Sequence, residues 1–308
     1  MSLAVERAAE ILRETCGPRV RESFPMAPLT TFRIGGRAAI YLEPEDDDDL
    51  AAVGRAVGET GVPVSVLGKG SNVLVPDDGF PGLVLRLGRG YRWAAHVGDR
   101  LRAGGAMPLP ALSGVALRHA LTGLEFGIAI PASLGGAVRM NAGAHGREMA
   151  DALETIEVYR LTELARVELA VADAGFGYRR SALPADGLVV GATALLVPGD
   201  PATIRAAMED ARDWRRRTQP LAEPNCGSVF TNPPGDHAAR LIDAAGLKGL
   251  QVGGARVSEK HANFIVAGPG ATARDVVELI EQIRARVLDA SGIELQPEVR
   301  LLAVRDDG

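Results

Sequence analysis

Residues 67–72 read Leu-Gly-Lys-Gly-Ser-Asn, and residues 130–146 read Ile-Pro-Ala-Ser-Leu-Gly-Gly-Ala-Val-Arg-Met-Asn-Ala-Gly-Ala-His-Gly. We call these segments the first and the second glycine stretch. Glycine leaves backbone N–H groups uncrowded by Cβ atoms, and such groups bind phosphate oxygens. Neither stretch has the G-x-G-x-x-G spacing of a dinucleotide fold or the spacing of a P-loop. The pair predicts a site for a phosphate-bearing cofactor of a less common type; the alternative is that each stretch is only a tight turn.

The composition describes an ordinary globular protein. The 308 residues can form two or three domains, with 46% hydrophobic and 24% charged residues. The net charge of -5 argues against nucleic acid or an anionic membrane as a partner. Neither an apolar run of about 20 residues nor a secretory signal pattern is present, so we expect a cytoplasmic monomer. Cys16 and Cys226 match no metal or redox spacing and are expected to be free thiols.

Secondary-structure patterns divide the chain into three parts. Helix patterns at 3–15 and from residue 46 alternate with a buried strand at 62–67 and another at 83–87, which indicates an α+β cofactor domain. Strands with period-two alternation follow, up to a Pro-Gly-Asp-Pro hinge at 198–201. The last part is predicted to contain a helix at 204–211, a helix capped by Asp236, a long helix opened by a Thr272–Asp275 capping box and a strand at 299–304.

Three polar side chains stand where they could do chemistry. Ser228 follows a glycine in a loop ahead of an apolar pair, although a loop serine can also bond its own backbone. Arg179 lies between two strand patterns, where the alternative is a solvated surface charge. Glu298 opens an apolar strand, where the alternative is a carboxylate that faces solvent. The histidines show no metal-ligand spacing, so we expect no metal.

Together these segments resemble the UDP-N-acetylenolpyruvoylglucosamine reductase family, in order and spacing and over nearly the whole chain. The segments that carry the resemblance are 31–36, 68–72, 123–126, 130–146, 178–181, 227–233, 257–264 and 297–300. The resemblance implies an α+β fold, with a two-part FAD-binding unit of the vanillyl-alcohol oxidase and p-cresol methylhydroxylase type and a C-terminal substrate domain. We assign residues 1–88 and 89–198 to the two FAD-binding subdomains and 199–308 to the substrate domain, whose last strand is a candidate to pack back on the FAD unit.

The resemblance also implies a reaction. NADPH passes a hydride to non-covalently bound FAD, and the reduced flavin passes it to the enolpyruvyl group of UDP-N-acetylglucosamine enolpyruvate, giving the UDP-N-acetylmuramate of peptidoglycan synthesis. By motif, Ser228 donates the proton, while Arg179 and Glu298 polarise the substrate carboxylate. The positions implied to contact substrate are Tyr178, Asn232 and His261. Those implied to contact FAD are Arg33, Gly68, Lys69, Gly70, Ser71, Asn72, Ile130, Pro131, Ala132, Ser133, Gly135, Gly136, Ala137, Asn141, Ala142 and Gly143.

Spacing places the chain within the shorter subtype of the family. Arg179 and Ser228 are 49 positions apart, too few for the tyrosine-bearing loop that the other subtype folds over its substrate. The run Arg215–Arg217 is a candidate for contacts to the substrate diphosphate, against the alternative of a solvated helix end. Ala132 replaces a common glycine of the family. The added Cβ is expected to alter how closely the backbone approaches the flavin at that position. Two rival hypotheses are an oxidase of the same flavin superfamily and a nucleotide-binding protein without activity.

Overall fold

The computed structural model describes residues 2–303. Its α-helices are α1 (Leu3–Cys16), α2 (Asp47–Thr60), α3 (Leu109–Arg118), α4 (Leu134–Arg139), α5 (Pro201–Thr218), α6 (Ala238–Ala244) and α7 (Ala273–Ser291). Its first nine strands are β1 (Arg21–Pro25), β2 (Arg37–Leu42), β3 (Val64–Val66), β4 (Val73–Leu74), β5 (Phe80–Leu85), β6 (Ala94–Val97), β7 (Arg100–Gly104), β8 (Leu121–Thr122) and β9 (Gly143–Ala144). The others are β10 (Arg147–Glu148), β11 (Leu153–Arg160), β12 (Ala165–Ala170), β13 (Gly187–Leu195), β14 (Val197–Pro198), β15 (Gln251–Val252), β16 (Ala255–Val257), β17 (Ile265–Ala267) and β18 (Arg300–Leu301).

The larger sheets have four, five and three strands. Their orders are β1-β2-β5-β3, β12-β11-β13-β7-β6 and β15-β16-β17. The five-stranded sheet is antiparallel throughout, whereas β3 pairs in parallel with β5. Two-residue strands form the pairs β10-β9, β14-β8 and β18-β4, of which the last is parallel. Helices and strands therefore mix as the sequence predicted.

The helix signals in the sequence are mostly confirmed. The Asp46 carboxylate accepts a hydrogen bond from the Asp49 N–H at 2.9 Å and begins α2. Thr272 and Asp275 form the expected capping box, and α7 ends at Gly292, whose φ is 70°. The α7 face at Val276, Ile280, Ile283 and Val287 is buried. Apolar periodicity and local capping were sufficient to predict these elements.

Three local expectations are wrong. The strand predicted at 62–67 is shorter and not buried throughout, since Val66 is 47% exposed. Asp236 does not cap α6: its carboxylate binds the His237 N–H and Arg240, while Asn232 Oδ1 accepts from the Ala238 N–H at 3.1 Å. The predicted strand at 299–304 is confined to β18, and its last residue lies outside the described residues. Nearby polar side chains can bond the backbone in place of the regular partners, and this changes where a helix or strand begins and ends.

Unit 1 is one of two compact units of the chain and comprises Met1–Glu22, Ile40–Lys69 and Gly82–Arg215. Helices α3 and α4 share a buried apolar cluster with the five-stranded sheet, in which Leu112, Leu134, Ile156 and Val189 take part. Helix α1 packs on α2. Through Ile204, Met208 and Ala211, α5 packs on Ile128 and Ala129. This apolar packing fixes the segments that surround the second glycine stretch.

Unit 2 comprises Ser23–Ala39, Gly70–Pro81 and Arg216–Gly308. Helices α6 and α7 share a buried cluster with the three-stranded sheet, including Ile242, Val257, Ile265 and Ile283. The Asp77 carboxylate accepts hydrogen bonds from the Ala273 and Arg274 N–H groups and so ties an early segment to the start of α7. Segments from the N-terminal third thus belong to this unit, and the three-part division at residues 88 and 198 stays a prediction.

Candidate active site

The first glycine stretch follows β3 and presents a run of unbonded backbone N–H groups. Across residues 2–303, the N–H groups of 68–72 find no hydrogen-bond acceptor. Gly70 has a φ of 65°, and a Cβ there would lie 2.2 Å from the Leu29 carbonyl oxygen, so the position requires glycine. The Thr31 N–H donates to the Gly70 carbonyl at 3.0 Å. Because unpaired N–H groups need an acceptor, this cradle fits a nucleotide diphosphate.

Positive charge surrounds Lys69 in the same stretch. Burial lowers the pKa of the Lys69 ammonium, and the nearby guanidinium groups of Arg86 and Arg92 lower it further. The positive charges of these side chains repel one another, and a bound anion would reduce this repulsion. The charge and the unbonded N–H groups therefore favour the same kind of ligand.

The second glycine stretch differs, because most of its N–H groups are already bonded. Leu134 donates to the Met107 carbonyl at 2.8 Å, and Gly135 donates to the Gly105 carbonyl at 2.9 Å. Other N–H groups donate within the stretch itself, namely those of Ala132, Gly136, Ala137, Asn141 and Ala142. The N–H groups at these positions are therefore already hydrogen-bonded within the protein.

Close packing is what the second stretch contributes. A Cβ on Gly135 would lie 2.8 Å from the Val189 carbonyl oxygen, so this glycine allows α4 to approach β13. A Cβ on Gly68 would lie 2.7 Å from Ser133 Oγ, so the two stretches touch at this point. Ile130, Pro131 and Ala132 precede α4 and are half-buried or exposed. Their predicted contacts to FAD stay predictions.

Arg33, in unit 2, has an unusual backbone. Its φ is 59°, its side chain is exposed, and its N–H donates to the buried Thr30 hydroxyl at 3.1 Å. A left-handed conformation costs about 1–2 kcal/mol for a residue with a Cβ. Such outliers cluster at binding sites. The predicted FAD contact of Arg33 remains a prediction that this conformation favours.

Arg179 lies in a tight turn of unit 1, residues 177–180, which we call the arginine turn. The Arg180 N–H donates to the Gly177 carbonyl at 3.1 Å, and Arg179 has a φ of 57°. Arg179 and Arg180 therefore belong to a turn and not to an alternating strand. Arg179 Nη2 donates to the Gly143 carbonyl at 2.9 Å, and the guanidinium lies 5.0 Å from the centre of the Tyr178 ring. The side chain is thus oriented from both sides.

Ser228 and Glu298 lie on neighbouring segments of unit 2. We call residues 226–231 the serine loop and residues 296–298 the glutamate segment. The Glu298 N–H donates to the Val229 carbonyl at 2.7 Å, and the Thr231 N–H donates to the Gln296 carbonyl at 3.0 Å. Two antiparallel bonds therefore fix the register between Ser228 and Glu298. Both residues are half-buried.

The interior side of the serine loop is apolar. Cys226 is buried, and burial followed by the negative charge of Glu298 raises the pKa of its thiol. The thiol is therefore an unreactive core group, as expected of a free cysteine.

Asn263 holds the serine loop, a role that sequence reasoning missed. Its Nδ2 donates to the Phe230 carbonyl at 2.8 Å, and its Oδ1 accepts from the Phe230 N–H at 2.9 Å. Its own carbonyl accepts from the Val229 N–H at 2.9 Å. The residue is 4% exposed. An asparagine two positions after His261 was visible in the sequence, but nothing there indicated which backbone it pairs with.

The predicted substrate contacts have different surroundings. His261 Nδ1 accepts from the Asn263 N–H at 3.3 Å, and burial lowers the pKa of the imidazole. Asn232 Oδ1 is engaged at the start of α6, and Tyr178 is 51% exposed. Their substrate contacts stay predictions.

Each glycine stretch contains an asparagine whose amide binds a segment with a candidate catalytic residue. Asn72 Nδ2 donates to the Glu298 carbonyl at 3.1 Å, and the Asn72 carbonyl accepts from the Arg300 N–H at 3.1 Å. Asn141 Nδ2 donates to the Gly177 carbonyl at 3.1 Å. Unit 2 thus brings together Ser228, Glu298, Asn72, Asn263 and His261. Unit 1 brings together Arg179, Tyr178, Asn141 and Gly143.

Within residues 2–303, histidine, cysteine and carboxylate side chains form no group of three that could hold a metal ion. None of the helices in this part of the chain combines the length and the apolar character that a membrane span requires.

Family models and curated relatives show what this chain is similar to. Residues 38–162 match the model of an FAD binding domain, and residues 219–302 match the C-terminal domain of UDP-N-acetylenolpyruvoylglucosamine reductase. A relative of that name from Anaeromyxobacter sp. (strain Fw109-5) is 46% identical over 96% of this chain and 92% of its own. Another, from Myxococcus xanthus, is 46% identical over 93% of both chains.

Solved structures show the same similarity. The UDP-N-acetylenolpyruvylglucosamine reductase of Thermus caldophilus superposes with a TM-score of 0.80 at 38% identity, over 92% of this chain and 98% of that one. A 4-ethylphenol oxidase from Gulosibacter chungangensis, at 15% identity and a TM-score of 0.50 over 96% of this chain and 65% of that one, shares the fold alone. The expected fold class is confirmed: a flavoprotein-type FAD-binding unit with a C-terminal α+β domain. On this identity and coverage, the chain belongs to the UDP-N-acetylenolpyruvoylglucosamine reductase family.

Proposed function

We propose that this protein is an NADPH-dependent flavoenzyme that reduces UDP-N-acetylglucosamine enolpyruvate to UDP-N-acetylmuramate for peptidoglycan synthesis. The observation that carries the proposal is the pairing of Ser228 with Glu298 through the Glu298 N–H bond to the Val229 carbonyl. It puts a hydroxyl and a carboxylate on adjacent segments, in a chain whose first glycine stretch has unbonded N–H groups. We further propose that the enzyme works in the cytoplasm as a monomer.

The first glycine stretch is the proposed grip on the FAD diphosphate. The N–H groups of Gly68 to Asn72 supply donors, and Lys69 supplies positive charge. The second stretch leaves space for the FAD to approach the backbone at Gly136, because a Cβ built on this residue would have only Ser133 Oγ within 4 Å. Bound FAD supplies the hydride that it receives from NADPH; the protein supplies binding and orientation.

Ser228 is the proposed proton donor to the substrate. A serine hydroxyl is a weak acid in water, but it has to protonate only the strongly basic carbon left when a hydride adds to the enolpyruvyl double bond. The half-buried position of Ser228 reduces its contact with bulk water. Because the loop is fixed by backbone bonds, the hydroxyl needs little reorganisation.

Arg179 and Glu298 are the groups proposed to polarise the substrate carboxylate and to stabilise the charge that develops on it. Hydride addition moves negative charge onto the conjugated acid, and a preorganised guanidinium there lowers the barrier. The contact to the Gly143 carbonyl and the strained turn hold the Arg179 side chain in one orientation. Tyr178, Asn232 and His261 are proposed to contact the substrate, and Arg215–Arg217 its diphosphate.

The test is a direct assay of the purified protein. We expect a yellow protein with a flavin spectrum and NADPH oxidation that depends on the enolpyruvyl sugar nucleotide. A colourless protein that takes up no added FAD, or NADPH oxidation that does not respond to the sugar nucleotide, would contradict the proposal. Oxygen-dependent oxidation of an alcohol or sugar, without reduction of the enolpyruvyl substrate, would instead support the rival oxidase.

A further inference from the structure

Asn141 stands out as a fully buried polar residue in the second glycine stretch. Its side chain is 0% exposed, and its φ is 42°. Nδ2 donates to the Gly177 carbonyl at 3.1 Å, and Oδ1 accepts from the Ala150 N–H at 3.0 Å. Both ends of the amide therefore bind protein backbone, and the buried side chain does not face a ligand.

The acceptor of the Nδ2 hydrogen bond belongs to the arginine turn. The Gly177 carbonyl accepts from both Asn141 Nδ2 and the Arg180 N–H, so one oxygen closes the turn and anchors it to the second glycine stretch. The turn contains Arg179 at a φ of 57°, a conformation that an arginine adopts only when its surroundings enforce it. The amide of Asn141 is one such enforcing contact.

A second bond from the same stretch holds the other end of Arg179. Two residues after Asn141, the Gly143 carbonyl accepts from Arg179 Nη2 at 2.9 Å. The backbone and the guanidinium of Arg179 are thus both tied to residues 141–143. Asparagine suits this position, because it tolerates a left-handed backbone and carries both a donor and an acceptor.

We propose that Asn141 is a positioning residue for Arg179: its amide fixes the arginine turn so that the guanidinium is preorganised for the substrate carboxylate. This inference rests on the proposed function, and it replaces the flavin contact that the sequence predicted for Asn141. A positioning role predicts that loss of the Asn141 amide slows only the step that uses Arg179. A flavin contact predicts weaker FAD binding, and a purely structural role predicts a general loss of stability.

The informative variant is Asn141→Asp in the holoenzyme. Aspartate keeps the acceptor for the Ala150 N–H but replaces the Nδ2 donor with an oxygen that repels the Gly177 carbonyl. Asn141→Gly is the second variant, because glycine accommodates the positive φ if the aspartate form does not fold. Ser113→Ala is the matched control, since it removes a buried hydrogen bond of 2.7 Å to the Leu124 carbonyl in the same unit.

Stopped-flow absorbance separates the two half-reactions. We expect Asn141→Asp to keep its FAD and its rate of reduction by NADPH within about twofold of wild type, while reoxidation by the enolpyruvyl substrate slows about tenfold, as for one lost orienting hydrogen bond. In an Arg179→Ala background the same change should slow reoxidation by less than about twofold, because the group it positions is gone. The Ser113→Ala control should show equal proportional effects in both backgrounds.

Three results would overturn the positioning role. They are loss of FAD from Asn141→Asp, wild-type reoxidation in both Asn141 variants, and equal proportional slowing with and without Arg179. A separate readout distinguishes this failure from failure of the proposed function. Amide hydrogen exchange at residues 177–180 should accelerate in Asn141→Asp but not in Ser113→Ala, whatever substrate the enzyme reduces.

Discussion

The two regions that hold the candidate catalytic residues are built in different ways. In unit 2, backbone bonds between the serine loop and the glutamate segment fix Ser228 against Glu298, and the Asn263 amide adds two bonds to the Phe230 backbone. In unit 1, the arginine turn depends on side chains: the Asn141 amide, and the bond from Arg179 itself to the Gly143 carbonyl. The first region is unstrained, whereas Arg179 has a positive φ.

This difference separates two ways of preorganising a site. Backbone pairing survives changes of the side chains that do the chemistry, so a variant of Ser228 or Glu298 should lose chemistry and keep its fold. A strained turn held by side chains stores free energy of about 1–2 kcal/mol, which a substitution can release. Chemistry and stability should therefore be separable in variants of Ser228 and coupled in variants of Arg179.

The largest effect is expected at Ser228. Ser228→Ala removes the proposed proton donor, so turnover of the enolpyruvyl substrate should fall by roughly 10²–10⁴-fold. Because the loop is held by its backbone, the thermal midpoint, the FAD content and flavin reduction by NADPH should stay close to wild type. Stopped-flow absorbance and thermal unfolding measure these quantities on one preparation.

Thr231→Val is the matched control for Ser228→Ala. It removes another hydroxyl of the serine loop, one that bonds the Gln296 carbonyl at 3.2 Å, and should leave turnover near wild type. Equal loss of both half-reactions in Ser228→Ala would show that Ser228 is structural. It would also remove the contrast between the two regions.

A smaller but still large effect is expected for Asn263→Ala. The Phe230 N–H and carbonyl, which are buried, would lose their partners, at a cost of about 2–4 kcal/mol in free energy of unfolding. Turnover should fall along with stability, because, of its bonds to residue 263, the serine loop loses the two from the Asn263 side chain and keeps only the one from the Val229 N–H to the backbone carbonyl. Denaturant unfolding measures the first and steady-state assays the second. Unchanged stability would show that backbone pairing with the glutamate segment is enough to hold the loop.

Sequence patterns predicted the elements better than the site. The capping box at Thr272 and the buried face of α7 follow from local spacing, so they were predictable. The asparagines at 72, 141 and 263 bind backbone 226, 36 and 33 positions away along the chain. No local rule pairs residues over such distances, and a buried asparagine and a solvated one look alike in sequence.

The second glycine stretch shows a related limit. A glycine in the sequence indicates that a Cβ does not fit at that position. It does not indicate whether a ligand or another strand occupies the space that a Cβ would fill. At Gly135 the close neighbour is the Val189 carbonyl, whereas the N–H groups of 68–72 remain unbonded across the described residues. Only tertiary packing distinguishes these two uses of the same residue type.

The strained backbone of Arg179 predicts a difference of about 1 kcal/mol in the free energy of unfolding between two variants at this position. Arg179→Gly and Arg179→Ala both remove the guanidinium, so turnover should fall equally in the two variants. Glycine accepts a φ of 57° without a Cβ clash, so Arg179→Gly should be more stable than Arg179→Ala by about 1 kcal/mol. Thermal unfolding of the two apoproteins and holoproteins measures this difference. An alanine variant at least as stable as the glycine variant would show that the turn is unstrained.

The smallest effect concerns pH and tests the region around the serine loop. Burial keeps the pKa of His261 below its ordinary value of 6.5, so on acidification the unfolded chain binds this proton before the folded protein does. Stability is therefore full above the unfolded pKa and declines as the pH falls through it toward the lower folded pKa. His261→Gln removes this contribution, so between about pH 7.5 and pH 5 the variant should lose less stability than wild type. Urea midpoints at the two pH values measure the difference. Equal losses of stability in both proteins would mean that the imidazole is as accessible to water in the folded protein as in the unfolded chain. Because His261 bonds Asn263, which holds the serine loop, this result would also mean that the region around the loop is open to water.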